Sequence, residues 1–163
     1  KMTDKKLTIF FYCVDAYGHM NPCIGVAQQL YNRGHRIIFA IKSSWKGRLS
    51  KFGFEEEVLE LENADSQDED YTKSVNSFGF FSDKSPYEKL KILASLGNIF
   101  IRGSIETEPL LEAAINRIQP DLFVVAYLLM PCILKSNKPW VNLMPANPLL
   151  SFIHEDTPPS CSG

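Results

Sequence analysis

The chain has 163 residues, 17 Lys and Arg against 19 Asp and Glu, and a formal charge of −2 with its three His neutral. A compact fold of this length hides roughly 70% of the surface of the unfolded chain, and 45% hydrophobic content is enough for one core, which excludes disorder of the whole chain. The balanced charge, without any Lys/Arg cluster, gives no field to draw a phosphate polymer, so nucleic acid is excluded as the expected partner.

Leu7-Thr8-Ile9-Phe10-Phe11-Tyr12-Cys13 is an almost unbroken apolar run, which predicts a strand covered on both faces in a parallel sheet. After a loop with Gly18 and His19, Asn21 as cap and Pro22 in the first turn open a helix whose Ile24, Ala27, Leu30 and Tyr31 recur at helical spacing, closed by Gly34. Arg36 to Ile41 reads as the second strand, completing a βαβ unit. Ser44 to Phe52 predicts a short helix ended by Gly53, and Phe54 to Leu61 a weaker strand in which acids alternate with apolar residues. From Glu55 to Asp70 nine carboxylates occur with no Lys or Arg, the composition of a solvated loop.

Ser85-Pro86-Tyr87-Glu88 is a capping box that starts a helix along Tyr87, Leu90, Leu93, Ala94, Leu96 and Gly97. A further helix is expected from about Ile105 to Ile118, disturbed early by Pro109 and broken by Pro120-Asp121. Leu122 to Ala126 reads as a buried strand, Leu129 to Leu134 as a short helical segment and Trp140 to Met144 as a strand before a Pro-rich end. The expected fold class is α/β, a Rossmann-like doubly wound parallel sheet with flanking helices in one domain, residues 1–163.

Cys13, Cys23, Cys132 and Cys161 form no CxxC pair and have no His at metal-ligand spacing, so buried free thiols are expected rather than a zinc site or a disulfide framework. The apolar run after Lys6 is too short for a signal segment, and the run from Leu122 to Leu134 is interrupted by Pro131, short of the roughly 20 residues that span a bilayer. A soluble, cytoplasmic chain without a membrane span is the expectation. The Gly-rich dinucleotide fingerprint is missing, since Val14-Asp15-Ala16-Tyr17-Gly18-His19 holds a single glycine after the first strand.

What stands there instead is a histidine. Ligands of open parallel sheets bind outside the carboxyl ends of the strands, and an imidazole titrating near neutrality suits proton removal from a hydroxyl; the plainer reading is a loop histidine with an ordinary hydrogen bond. Gly18-His19-Met20-Asn21-Pro22, then Ala27, Leu30, Arg33-Gly34-His35, Ile37 and Phe39, resemble the opening of the UDP-dependent glycosyltransferases (family 1, GT-B fold), with its GHxxP and RGHxVxF segments. Pro120-Asp121-Leu122-Phe123-Val124-Val125, Pro139-Trp140-Val141 and Asn147-Pro148 are similar to that family's PDLIIVD strand and its later PWV and NP segments. The matches cover almost the whole chain, as the acceptor-binding N-terminal half of such an enzyme without the C-terminal donor domain. Among members of that family, the chain resembles the cytosolic ones of mites and bacteria.

The resemblance implies a detoxifying hexosyltransferase that moves a sugar from a UDP-sugar, its donor substrate, to the hydroxyl of a small lipophilic acceptor with inversion, needing no cofactor and no metal. His19 would be the general base. His35, at the helix-to-strand turn, is expected to cap or pack. The acceptor lining would be Tyr17, Gly18 and Met20 after the first strand, Phe78 and Phe81 with Phe80, Phe100 with Leu96, and Tyr127; Phe78, Phe80 and Phe81 equally suit pinning a long loop to the core. The family's aspartate after PDLIIV, which orients the histidine, is replaced by Ala126, and Asp15 is the only carboxylate near His19 in sequence. Asp121, at the far end of its strand, is expected to be structural. Without the donor half the chain alone is expected to be inactive and to self-associate through the exposed interdomain face. The alternative is a non-catalytic half-enzyme that binds a small molecule or a partner chain.

Overall fold

A computed structural model describes residues 5–61 and 85–144, with 89–90, 92–93 and 95–100 described by backbone alone. Strands β1 (Thr8–Cys13), β2 (Arg36–Lys42), β3 (Glu55–Leu59), β4 (Leu122–Ala126) and β5 (Trp140–Asn142) form one sheet in the order β3-β2-β1-β4-β5. Every pairing is parallel, so all five carboxyl ends share one edge. Helix α1 (Tyr17–Asn32) lies on one face, where Met20, Cys23 and Ala27 join Ile9, Phe11, Ile37, Phe39 and Val124. Helices α2 (Pro86–Ile118) and α3 (Pro131–Lys135) cover the other, with Leu111, Ala114, Ile115 and Ile133 against Phe10, Ile38, Phe123 and Val125. The alternation of β1 between the two clusters explains its unbroken apolar sequence, since a strand covered on both faces has no polar side.

Three local readings are corrected. Helix α1 starts at Tyr17 with Ala16 as its cap residue, so Pro22 lies inside it and Asn21 caps nothing. Ala16 and Met20 are buried by the earlier start, and burying a methionine contributes about 1.5–3 kcal/mol, which offsets the one backbone bond Pro22 cannot donate. In place of the helix from 44 to 52 there are two 3₁₀ turns, Ser43–Trp45 and Ser50–Phe52. The Glu56 carboxylate accepts the N–H groups of Gly47, Leu49 and Ser50 at 2.6, 2.7 and 2.8 Å and so withdraws donors an α-helix would use. The two helices expected after Ser85 are one of 33 residues through Pro109. Ile105, whose carbonyl loses its donor at Pro109, is exposed, as is Pro109, so the interrupted turn lies on the solvent side of the helix. The capping box is as read, with Ser85 N–H donating to Glu88 Oε2 at 2.9 Å and Glu88 N–H to Ser85 Oγ.

Glu55, Glu56 and Glu57, the first acids of the acidic stretch, lie in β3, within the strand expected from Phe54 to Leu61: Glu55 accepts from Arg36 Nε and Nη2 at 2.7 and 2.6 Å, and Glu57 pairs with Arg117. Burial works against the Glu56 charge, yet its three backbone donors hold the carboxyl below the usual range. A carboxyl lowered in the folded state contributes stability that is complete above its unfolded pKa of about 4.3 and is lost as pH falls. Glu56→Gln is expected to cost about 1–2 kcal/mol at neutral pH and to flatten the acid limb of a plot of unfolding midpoint against pH; a limb unchanged in the variant would contradict this.

Asp121 and His35 hold the amino-terminal edge. Thr8 N–H donates to Asp121 Oδ2 at 2.8 Å and Leu7 N–H to His35 Nδ1 at 3.2 Å, which gives both residues the structural parts expected of them and places them at the edge opposite His19. Among the described residues no helix is long and apolar enough to cross a membrane.

Candidate active site

The chain runs β1, β2, β3 outward on one side and returns to the other side of β1 with β4. The carboxyl edge between β1 and β4 is therefore the switch point of the sheet, where loops diverge and leave a crevice. His19, third residue of α1, stands above β1, and Tyr127 follows β4 directly. Their rings lie 5.5 Å apart, edge to face at 63°, so the structure brings together two residues more than a hundred positions apart.

Tyr127 is held in an unusual backbone conformation, φ 75°, with Leu128 N–H donating back to Ala126 C=O at 3.0 Å. A non-glycine residue there stores about 1–3 kcal/mol. Tyr127→Gly is accordingly expected to raise stability by about 1 kcal/mol, read from the denaturation midpoint, while removing the ring beside His19; a loss of stability would show that the ring contributes more than the strain.

Partial burial holds the His19 imidazole below its usual pKa, so it is neutral near pH 7 and able to accept a proton. Its Nδ1 is buried and has no hydrogen-bond partner among the described residues. Ala126 is buried on the α1 side of the sheet and offers only a methyl group, and Asp15 lies 3.8 Å from Lys42, so the Nδ1 position is served by neither.

Tyr17 is 55% exposed on the same rim and turns to other neighbours. Its ring is 5.1 Å from Trp45, its hydroxyl accepts from Arg48 Nη1 at 2.6 Å, and the Arg48 guanidinium lies 5.3 Å from the Trp45 ring centre. Gly18 is exposed with open space around it, whereas Met20, 1% exposed, faces the core instead of the rim. Phe78, Phe80 and Phe81 lie outside the described residues, and Phe100 and Leu96 fall on α2 where the backbone alone is described. Sequence reasoning missed Trp45 and Arg48. Their signal was an aromatic and a cation just beyond the carboxyl end of a strand.

On the α2 face Tyr12, Glu108 and Cys132 form a buried polar group. Burial, then Asp15 and other neighbouring charges, raises the Tyr12 hydroxyl, and burial followed by the Glu108 carboxylate pushes the Cys132 thiol up to about 12. Neither ionises at neutral pH, so neither supplies a nucleophile. A groove of about 390 Å³ between β3 and α2, lined by residues such as Leu59, Leu110, Ala114 and Arg117, touches none of the rim residues. Among the described residues no group of three metal-ligating side chains occurs.

No family model matches the chain. In the solved glycotransferase of kitacinnamycin the same fold recurs with a TM-score of 0.61 at 19% identity, over 86% of this chain and 31% of that one. The fold is that of a GT-B amino-terminal domain. The glycosyltransferase SsfS6 of Streptomyces sp. SF2575, solved with thymidine diphosphate, matches 85% of this chain and 38% of its own with a TM-score of 0.62 at 15% identity. A curated relative, demethyllactenocin mycarosyltransferase of Streptomyces fradiae, is 29% identical over 114 residues, 70% of this chain and 23% of its own length. The chain thus spans well under half of the proteins it matches, and its resemblance to glycosyltransferases extends from fold to sequence.

Proposed function

We propose that this chain is the acceptor side of a glycosyltransferase that moves a hexose from a nucleoside-diphosphate sugar to the hydroxyl of a small lipophilic acceptor. The observation that carries the reading is the meeting of a neutral His19 with Tyr127 at the switch point of a GT-B sheet. A phenol or alcohol is a poor nucleophile at neutral pH, and a base within hydrogen-bond reach lets proton loss accompany attack. His19 takes the hydroxyl proton as the oxygen attacks the anomeric carbon; the nucleoside diphosphate departs from the opposite face, which inverts that centre. Tyr17, Gly18 and Tyr127 line the acceptor on the described rim, with Phe78, Phe81 and Phe100 as further proposed lining. The donor, a UDP-sugar by the sequence resemblance, would be held mainly by a C-terminal domain, and a cytoplasmic, detoxifying role is the setting that lipophilic acceptors favour.

One observation favours a second reading. Ala126 and the unpartnered Nδ1 of His19 suit a half-enzyme that binds small molecules without transferring sugar. Thermal melts of the chain with phenolic and terpenoid acceptors, and separately with UDP-glucose, test what both readings share. A ligand of the folded state present at about 100 times its Kd stabilises by about 2.7 kcal/mol, so acceptors are expected to raise the midpoint and UDP-glucose to leave it unchanged. A shift with UDP-glucose alone would overturn the proposal. A midpoint that rises with protein concentration in the same melts is the expected sign of self-association.

A further inference from the structure

Cys13 ends β1 and Cys23 stands on α1, and their sulfurs lie 2.9 Å apart in the core, with Cys23 wholly buried and Cys13 nearly so. This is inside van der Waals contact and within about 1 Å of the covalent S–S length of ~2.05 Å. Between them in sequence lies the segment that carries Asp15, Tyr17 and His19, and the transfer chemistry proposed above uses neither thiol. We infer that Cys13 and Cys23 are a redox-active dithiol that closes to a disulfide and ties down the segment bearing His19.

The two sulfurs are unequal. The Cys13 S–H donates to the Cys23 sulfur, which holds the Cys23 thiol below its ordinary range, while the same bond, then burial, raises Cys13. Of the two, Cys23 is therefore the sulfur that gives up its proton more readily and attacks, and its burial favours a small oxidant, a hydroperoxide. The Cys23 sulfur attacks one peroxide oxygen as its thiol proton is lost; an S–O bond forms, the O–O bond breaks, and the departing oxygen takes up that proton and leaves as water. The Cys13 sulfur then attacks the Cys23 sulfenic acid, the S–S bond forms, the S–O bond breaks, and the hydroxyl leaves as water with the Cys13 proton. Two thiols are oxidised and one hydrogen peroxide is reduced to two waters. Cys132, whose thiol is pushed up to about 12, stays protonated and does not compete.

The inference is independent of the transfer reading, and its test needs no activity. The chain is treated with hydrogen peroxide, unfolded in an alkylating agent and mapped by mass spectrometry without reductant. The thiol titre is expected to fall from four per chain to two, with the Cys13 and Cys23 peptides joined and separated again by dithiothreitol. Cys13→Ser should leave Cys23 as a sulfenic acid that dimedone captures, which keeps the test open if the double replacement does not fold. Alkylation of both Cys13 and Cys23 after peroxide, or earlier loss of the Cys132 thiol, would overturn the proposal.

Discussion

Phe39→Ala is expected to lower the free energy of unfolding by about 3–5 kcal/mol, a large part of the roughly 5–15 kcal/mol that holds a domain together. Phe39 sits in the middle of β2, wholly buried, with its ring stacked on Phe11 at 4.7 Å and on Phe54 at 5.4 Å. Truncation removes the centre of a three-ring stack that joins β1, β2 and the residue leading into β3. Neither partner can close the gap, because Phe11 is fixed in a central strand and Phe54 also stacks on Phe52. Equilibrium denaturation reads the effect as a lower midpoint with an unchanged slope. Phe39→Leu, which keeps most of the volume, should cost well under half as much; equal losses in the two variants would mean that stacking, not filled volume, is what counts.

In an enzyme that joins this chain to a donor-binding half, His19→Ala is expected to lower the transfer rate about 10²–10⁴-fold while leaving the free energy of unfolding within about 0.5 kcal/mol of the parent, since the side chain is partly exposed on the rim. Initial rates with a phenolic acceptor and either UDP- or TDP-sugar read it. The pH profile gives the sign independently. Only the neutral imidazole accepts a proton, and burial lowers its pKa, so kcat/KM should be level above about pH 6.5 and fall as pH drops through the lowered value. The variant should lose that limb. A rate unchanged in His19→Ala would remove the base assignment, and a parent protein that binds acceptors yet transfers nothing would favour the non-catalytic half-enzyme.

The alternation of apolar runs and helical stripes, with Gly34 and Gly53 at the ends of elements, was enough to read an α/β chain, and both glycines adopt the positive φ their places require. Boundaries were less legible where a distant partner decided them. Nothing near Ser44 announces that Glu56, from the following strand, will take the N–H groups of the 47–50 turn, and nothing near Pro109 tells that its side of α2 faces solvent. His19 was legible because a lone histidine after a buried strand is placed by topology alone. Trp45 and Arg48 were not, because an aromatic and a cation become a rim feature only once β2 lies beside β1.

The sequence by itself determined the fold class, the capping box of α2, the structural parts of His35 and Asp121 and the position of His19 at a strand's carboxyl end, all through short-range patterns with a direct physical cause. The tertiary structure alone decided that β4 pairs with β1, and hence that Tyr127 faces His19, that Met20 turns to the core, that His19 Nδ1 has no partner among the described residues and that the Cys13 and Cys23 sulfurs meet. Each depends on which strands become neighbours, and that order is set by the packing of two apolar faces over the whole sheet rather than by any local run of residues.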